Sequence, residues 1–344
     1  MTVHVDPEAG FGLLVDKPAG ASSHDVVDFV RYALGARKVG HAGTLDPFAT
    51  GLLVVLVQGA TKAAPFLSGH DKVYETTIVL GAATDTADAT GREVARAPVS
   101  AAVLEEAPQA AGALVGTHAW PPPAFAAVKV EGRRAHELAR AGRAPDLPPR
   151  PMTVHRLEVL RVVPSPPRIQ ISVAVSAGTY VRSLAVALGE ALGVPAHVAA
   201  LRRTAAGHLG LDDARVLGDL RVEPRGRDRR GKPRVRVRPA GYEAADRATV
   251  GAFVARHAVP LDALLGFPVA LLDGVRFRRL REGQVVRAIL RGTFKAGQRV
   301  LARLGADPAP RGAIVAAVEP PLAPAAQEPT QVSLRPVRVL DPGA

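Results

Sequence analysis

The sequence predicts an α/β (α+β) fold in which a large domain of strands and helices precedes a small C-terminal β-barrel. The first observation is length, because 344 residues are enough for two domains. The second is that short β-branched or apolar runs alternate with helical periodicity as far as about residue 220. The third is that short strand-like runs separated by Gly and Pro follow from Phe267 onward, a spacing typical of a small barrel.

The first elements are a strand, a helix and a loop. FGLLV at residues 11–15 is an apolar run that ends at a turn over residues 16–20. Ser22 or Ser23 is expected to cap a helix that ends at Gly35, with apolar residues at i, i+3, i+4 and i+7. A polar, glycine-punctuated loop over residues 41–51 follows, and LLVVLV at 52–57 then favours a strand buried on both faces.

The next segments continue this alternation. They predict a strand at 73–80, an acidic loop at 81–91, a helix at 101–115, extended chain at Pro121–Pro123, a helix at 133–142 and a strand at 168–175 that turns into a helix near Tyr180. The order supports a single α/β domain over residues 1–220.

The composition changes after about Leu220. Residues 221–238 contain nine Lys or Arg and two acids, a net charge of +7 out of +12 for the whole chain. This stretch reads as a flexible basic insert or linker, and we assign it to residues 221–257. Residues 258–344 form the predicted barrel domain, with expected strands FPVALL, VRFRRL, QVVRAIL, QRVLARLG, GAIVAAVE and SLRPVRVL.

Composition excludes several classes of protein. A net charge of +12 favours a polyanionic partner such as nucleic acid, although a basic surface without a partner is the alternative. The absence of Cys removes disulfides, thiolate metal sites and thiol nucleophiles, and the ten His lack metal-site spacing. We therefore expect no metal. No basic start with an apolar run and no long apolar segment is present, which predicts a cytoplasmic protein without a membrane partner.

Three segments carry residues suited to chemistry, each with a plainer alternative. Asp46 precedes Pro47 in a Gly-rich loop, where a carboxylate can act as nucleophile or base, but Asp-Pro in such a loop is usually an ordinary turn. The acids of TDTADATG do not match a calcium loop and read as a solvated turn. Arg182 lies near a strand-to-helix switch, where it is either an ordinary surface cation or, if buried, in need of a carboxylate such as Asp46 or Asp88.

A match to the phosphate-binding pattern GxxxxGK at Gly226–Lys232 is a false lead. Pro233 replaces the Ser or Thr that would hold magnesium, and no buried strand precedes the segment. Taken singly, His41, Lys17 and Tyr74 also have plain interpretations, as solvated loop residues and a core tyrosine.

A series of motifs occurs in this order along the chain: VDKPAGASSHDVV, KVGHAGTLDPFATGLL, ATK, DKVYE, TDTADATG, PPPAFAAVKVEGRRAHELAR, AGTYVRSLA and HVAALRRTAAG. Taken together, they resemble the bacterial TruB family of tRNA pseudouridine synthases. The resemblance is dense over residues 11–220 and weaker over 267–340, which is similar to the family's PUA-type RNA-binding barrel. The resemblance implies a mixed-sheet pseudouridine synthase domain that isomerises uridine at position 55 of the tRNA T-loop after flipping out the base, without a cofactor.

The resemblance also implies roles for ten residues. The catalytic aspartate falls on Asp46, the tyrosine that stacks on the base on Tyr74, and the arginine that pairs with the aspartate on Arg182. The implied substrate-binding residues are Lys17, Pro18, His41, Gly43, Asp88, Tyr180 and Leu201. Asp46 could attack the sugar, add to the base or remove a ribose proton, and the sequence leaves these three roles open.

The chain departs from the family pattern in two places. Residues 221–257 are longer and more basic, and Ala124–Ala127 replaces a hydroxyl-bearing motif. The expected partner is the T-loop and stem of tRNA, bound by a monomer without guide RNA, with the basic insert and the barrel contacting phosphates. The alternatives are a guide-RNA-dependent relative, an RNA chaperone (a role that could coexist with catalysis) and a generic nucleic-acid-binding module.

Overall fold

The computed structural model describes residues 10–123, 129–130, 133–134, 147–227, 233–290, 294–305, 313–319 and 330–340. Its strands are β1 Phe11–Lys17, β2 Val39–His41, β3 Thr50–Val57, β4 Lys72–Leu80, β5 Ala82–Thr84, β6 Glu93–Arg96, β7 Gly116–Trp120, β8 Lys129–Val130, β9 Arg133–Arg134, β10 Arg150–Pro164, β11 Pro167–Val175, β12 Ala196–Ala206, β13 Leu209–Gly210, β14 Leu220–Arg227, β15 Pro233–Pro239, β16 Ala258–Val259, β17 Val269–Leu272, β18 Val286–Leu290, β19 Arg299–Leu304, β20 Ala313–Glu319 and β21 Thr330–Val339. Its α-helices are α1 Ser23–Leu34, α2 Ala64–Ser68, α3 Ala101–Ala113, α4 Val181–Ala191, α5 Arg247–Ala255, α6 Leu261–Leu265 and α7 Gly274–Arg281, and a 3₁₀ helix spans Gln58–Ala63. No helix within these ranges is long and apolar enough to cross a membrane.

The chain divides into two compact units. One comprises Met1–Leu45, Leu53–Ser68 and Leu211–Ala344, and the other comprises Asp46–Leu52 and Gly69–Gly210. Strand β3 therefore contributes its first three residues to the second unit and the rest to the first. The predicted domain boundaries, 1–220, 221–257 and 258–344, differ from this division and stay predictions.

In the first unit, β1 lies between β16 and β3, and β2 pairs antiparallel with β3. Helix α1 begins as the sequence predicts, because the Ser22 hydroxyl accepts from the Asp25 backbone N–H while the Asp25 carboxylate accepts from the Ser22 N–H. It ends at Gly35, whose φ of 62° is left-handed. Its expected apolar face is buried: Val26, Phe29, Val30 and Ala33.

The C-terminal strands form a five-stranded sheet in the order β17-β19-β20-β21-β18. The edge strands β17 and β18 approach each other, so that the sheet nearly closes into a barrel, as predicted. The expected strand VRFRRL is wrong, because these residues lie in helix α7. Asp273 caps this helix by accepting from the Arg276 N–H, and Phe277 and Leu280, one helical turn apart, pack on the barrel core.

Two further expectations differ from the structure. The basic stretch expected as a flexible insert forms an antiparallel hairpin of β14 and β15 over its described residues. The expected helix at 133–142 begins instead as strand β9, paired with β8, while residues 135–142 lie outside the described residues. The departure at Ala124–Ala127 also lies outside the described part of the chain.

The second unit is built on a mixed sheet in which the start of β3 is followed by β12, β4, β11, β10 and β7. β12 runs parallel to β3 and antiparallel to β4. Alternate residues of β4 are buried, beginning with Lys72 and Tyr74 and continuing to Leu80. Gly51 permits the close β3–β12 approach: its φ is +98°, and a Cβ there would lie 2.2 Å from the Arg203 carbonyl oxygen.

Candidate active site

Asp46 lies in the loop that leads into β3. Its backbone carbonyl accepts a hydrogen bond from the Ala49 N–H at 3.1 Å, which closes a turn over Pro47. Its side chain is 33% exposed, so the carboxylate is held by the protein and still open to a ligand. The ordinary turn that the sequence predicts is therefore present, and it leaves the Asp46 carboxylate accessible.

Arg182 is buried in the first turn of α4 and joins two carboxylates. Its Nη2 lies 2.9 Å from Oδ2 of Asp46, and its Nη1 lies 3.3 Å from Oδ2 of Asp88. Nη1 also donates to the Thr86 carbonyl oxygen at 3.1 Å. A surface-cation reading of Arg182 is wrong, because its side chain is only 4% exposed. A buried guanidinium at this distance favours the ionised form of the Asp46 carboxylate.

Asp88 fixes the far side of this arginine. Its Oδ1 accepts from the Thr90 N–H at 2.9 Å, from the Thr90 hydroxyl at 2.6 Å and from the Thr86 hydroxyl at 2.9 Å. The turn is attached to β12, since Ala89 donates to the Val198 carbonyl and Val198 donates to the Ala87 carbonyl. The solvated-turn interpretation is therefore wrong for Asp88, which is 3% exposed.

Tyr74 and Leu201 lie on paired strands. Tyr74 on β4 is opposite Arg203 on β12, and Leu201 is opposite Thr76. Because residues opposite each other in an antiparallel pair share a face and alternate residues return to it, all four side chains lie on one face of the sheet. Tyr74 and Leu201 are each 9% exposed, which gives this face one aromatic and one aliphatic residue.

Tyr180 immediately precedes α4 and is half-buried. Burial raises the pKa of its phenol, with a further increase from Asp46 and opposing contributions from Arg150 and Arg182. The phenol is therefore neutral at physiological pH and can donate a hydrogen bond in the neighbourhood of Asp46.

Four predicted residues lie in the first unit. Lys17 is fully buried at the end of β1, where its Nζ donates to the Pro18 carbonyl at 2.9 Å and to the Ala21 carbonyl at 2.6 Å. His41 ends β2 opposite Val55, and Gly43 has a φ of +105° in the loop that follows. Lys17 thus shapes the turn that carries Pro18, and the substrate-binding roles of these four residues stay predictions.

Sequence reasoning missed two groups of residues at this site. Thr86 and Thr90 orient Asp88 and Arg182, and the Thr-x-Asp-x-Thr pattern around Asp88 is a local signal by which the sequence could have identified them. Arg203 and Lys72 are buried on the Tyr74 face, and no local pattern distinguished them from surface cations. The described residues contain no group of three or more His, Asp or Glu arranged to hold a metal ion.

Comparison with known proteins shows that two models of one family match this chain. Residues 31–181 match the model of the TruB family pseudouridylate synthase N-terminal domain, and residues 182–222 match that of the tRNA pseudouridylate synthase B C-terminal domain. The boundary between the two matches falls between Val181 and Arg182, so the paired Asp46 and Arg182 are covered by adjacent models.

Curated relatives include a tRNA pseudouridine synthase B of Corynebacterium aurimucosum, 48% identical over 222 residues, or 64% of this chain and 75% of that protein. Another, of Rhodococcus jostii, is 50% identical over 219 residues, or 62% of this chain and 72% of that protein. Among solved structures, a Cbf5-Nop10-Gar1 complex aligns with a TM-score of 0.63 at 21% identity, covering 97% of this chain and 85% of the matched chain. An H/ACA RNP bound to a substrate RNA containing 2'-deoxyuridine aligns with a TM-score of 0.65 at 20% identity, with the same coverage. These structures show the fold.

Proposed function

The chain belongs to the TruB family of pseudouridylate synthases, and we propose that its substrate is the uridine at position 55 in the T-loop of tRNA. It is an isomerase that converts uridine to pseudouridine, in line with relatives 48% and 50% identical to it. The single observation that carries the site assignment is the 2.9 Å pair between Asp46 and Arg182.

The isomerisation needs a carboxylate and no net oxidation or reduction. The N1–C1′ bond breaks, the uracil turns and the C5–C1′ bond forms, while C5 loses a proton and N1 ends with one. We assign the carboxylate to Asp46, acting on the sugar carbon, on the base or on a ribose proton. The first two roles need an ionised nucleophile and the third an ionised base, and Arg182 favours that form in each case.

The detached uracil must be held away from water while it turns. We assign this function to the Tyr74 ring, which stacks on the base, and to Leu201, which lines the pocket on the adjacent strand. Their burial on one sheet face supports the assignment. Removing the base from its stack costs a few kcal/mol, which contacts to the flanking RNA must offset.

The remaining residues are proposed to bind and position the substrate. Asp88 orients Arg182 and thereby Asp46, and Tyr180 supplies a neutral hydroxyl donor. We propose that the T-loop binds at Lys17, Pro18, His41 and Gly43. The buried Lys17 stabilises the turn that carries Pro18.

We propose that the enzyme acts as a monomer in the cytoplasm on free tRNA, without guide RNA. The similarity to tRNA pseudouridine synthase B relatives supports a tRNA substrate. The structural neighbours are a Cbf5-Nop10-Gar1 complex and an H/ACA RNP bound to a substrate RNA, and their likeness carries only the fold. Guide-dependent action and tRNA remodelling without chemistry are the competing functions for the experiment to separate.

The test is release of tritium from a tRNA transcript labelled at C5 of uridine, with wild type and Asp46→Asn compared in the absence of guide RNA and cofactor. We expect about one tritium per tRNA from wild type, mapped to the T-loop, and none from the variant, with equal tRNA affinities. If neither protein released tritium while both bound tRNA, the guide-dependent or chaperone reading would replace this proposal. An active Asp46→Asn would overturn the site assignment.

A further inference from the structure

We propose that the hairpin of β14 and β15 presents an arginine face that binds the phosphate backbone of the substrate RNA outside the target-base pocket. The inference rests on the proposed function for the identity of the RNA. It goes beyond the family assignment, because residues 223–239 lie outside both family-model matches. We use the name "arginine face" for Arg225, Arg234 and Arg236, together with their neighbours Arg221 and Arg238.

The register of the hairpin separates its two faces. Val222 is opposite Val237 and Leu220 is opposite Pro239, and three of these four are buried: Leu220, Val237 and Pro239. Arg221 is opposite Arg238, and Glu223 is opposite Arg236, on the other face. One face therefore packs on the protein. The other presents arginines at intervals of about 6.6 Å along β15, and both Arg221 and Glu223 along β14.

The arginine face concentrates positive charge with little compensation. The described hairpin residues include six arginines and a single acid, Glu223. Arg238 lies 3.9 Å from Glu223, and Arg221 lies 3.9 Å from Glu243. Among the described residues, no carboxylate is within salt-bridge distance of Arg225, Arg234 or Arg236.

Like charges crowd one another on this face. Burial lowers the pKa of Arg236, and the neighbouring Arg238 and Arg225 lower it further, against smaller opposing contributions from Tyr32 and Glu223. Holding cations together costs free energy in the free protein, and a polyanion that neutralises them recovers it. Counterion release then makes binding depend steeply on salt.

The base of the hairpin is attached beside the turn that carries Lys17 and Pro18. A Cβ on Gly20, in that turn, would be 3.9 Å from the Val222 side chain. The Ala240 N–H donates to the Asp219 carbonyl at 2.7 Å, which closes the hairpin stem. The arginine face is thus fixed close to a turn that we assign to substrate binding, within the same unit.

The chemistry of the face favours RNA phosphates over a lipid surface. The exposed described positions of the hairpin are Arg221, Pro224, Arg225, Gly226, Arg227 and Arg234, and none is a large apolar or aromatic residue that would enter a bilayer. Guanidinium groups bind phosphate oxygens through paired N–H donors and carry no base preference by themselves. The hairpin should therefore raise affinity and leave the choice of uridine to the pocket.

The experiment measures tRNA binding by the full chain as a function of salt, using wild type and the double variant Arg225→Gln/Arg234→Gln. The matched control is Arg96→Gln/Arg161→Gln, which removes two exposed arginines that are distant in sequence from the hairpin. We expect the hairpin variant to bind unmodified tRNA transcript roughly tenfold more weakly near 0.1 M salt. Its slope of log affinity against log salt should be shallower by about 2. The control should stay within about twofold of wild type, and Glu223→Gln should bind more tightly.

Single-turnover rates at saturating enzyme should be unchanged in the hairpin variant, since its chemistry is untouched. An unaltered tRNA affinity, or an equal loss in the control, would overturn the inference. So would a hairpin-dependent binding to phosphatidylserine vesicles with tRNA affinity intact. A chain that binds tRNA through the hairpin but releases no tritium would uphold this inference and refute the proposed function, so that the two failures are distinguishable.

Discussion

The Nη2 of Arg182 lies 2.9 Å from Oδ2 of Asp46, and these residues come from two elements more than 130 positions apart in the chain. The arginine is buried and the aspartate is one-third exposed. The buried partner is fixed by α4 and by Asp88, so it sets the position of the exposed carboxylate. The reactivity of Asp46 should consequently depend on the shape of its partner as well as on the partner's charge.

Arg182→Lys tests this dependence. Lysine keeps the positive charge but replaces a planar fork with a single ammonium, which cannot hold Asp46, Asp88 and the Thr86 carbonyl in the same geometry. We expect the single-turnover rate of tritium release to fall about 10²-fold, because displacement of a reacting group by about 1 Å can cost that much. tRNA affinity should change little. Arg96→Lys, at an exposed arginine paired with Glu93, is the control, and a fully active Arg182→Lys would show that charge alone suffices.

The sequence was informative about this site where the signal is local. Helix α1 begins after Ser22 and ends at Gly35, as predicted. The apolar residues of β3 alone predict that this strand is buried. Family resemblance brought Asp46, Tyr74 and Arg182 together as candidates, and the structure places all three in one unit. Their pairing could not follow from periodicity, since it depends on the packing of distant segments.

The wrong predictions lie in segments that fit both strand and helix periodicity, or in segments whose structure depends on tertiary contacts. VRFRRL alternates like a strand, but Asp273 provides a helix cap and the barrel core buries Phe277 and Leu280 one turn apart. The polar loop around Asp88 predicts a solvated side chain. Its burial depends on hydrogen bonds to Val198, 110 positions away, which no local pattern contains.

Asp88 should contribute more to stability than a turn residue does. Asp88→Ala removes one of two carboxylates from a buried guanidinium and leaves the Thr90 N–H without its acceptor. We expect the free energy of unfolding in urea to fall by about 3 kcal/mol, typical of a broken buried ion pair. Asp88→Asn keeps one acceptor oxygen and should lose less. Asp85→Ala, at an exposed acid of the same turn, should cost under about 1 kcal/mol; a similar loss at both sites would contradict the special role of Asp88.

Gly51 should be intolerant of a side chain for two separable reasons. Its φ of +98° strains any L-residue, and an added Cβ would lie 2.2 Å from the Arg203 carbonyl oxygen. Gly178 has a φ of +85° with nothing within 4 Å, so Gly178→Ala measures strain alone, about 1–2 kcal/mol. We expect Gly51→Ala to lower the free energy of unfolding clearly more than that, and to slow tritium release because β3 follows Asp46 directly. If the two substitutions lowered the free energy of unfolding equally, the backbone around Gly51 would move away from the added Cβ at no cost in free energy.

Lys72 should give the protein a stability that rises at alkaline pH. Burial lowers its pKa from 10.5 to about 8, with a further decrease from Arg203 and an opposing effect of Asp71, while its Nζ donates to the His70 carbonyl. Below pH 8 the lysine is charged in both the folded and unfolded states, so stability is level. Between about 8 and 10.5 the unfolded state binds more protons than the folded state, and stability therefore increases with pH.

The quantity to measure is the difference in unfolding free energy between wild type and Lys72→Met across this range, which cancels the titration of other groups. Methionine has a similar length and no charge, so the stability of the variant should not rise with pH in this way. The free energy of unfolding of wild type should therefore increase relative to that of the variant by about 2–3 kcal/mol between pH 8 and 10.5. Lys62→Met, at a partly exposed lysine of the 3₁₀ helix, is the control for replacing a lysine with methionine. A Lys72→Met difference that is flat with pH would mean that the ammonium is well solvated in the folded protein.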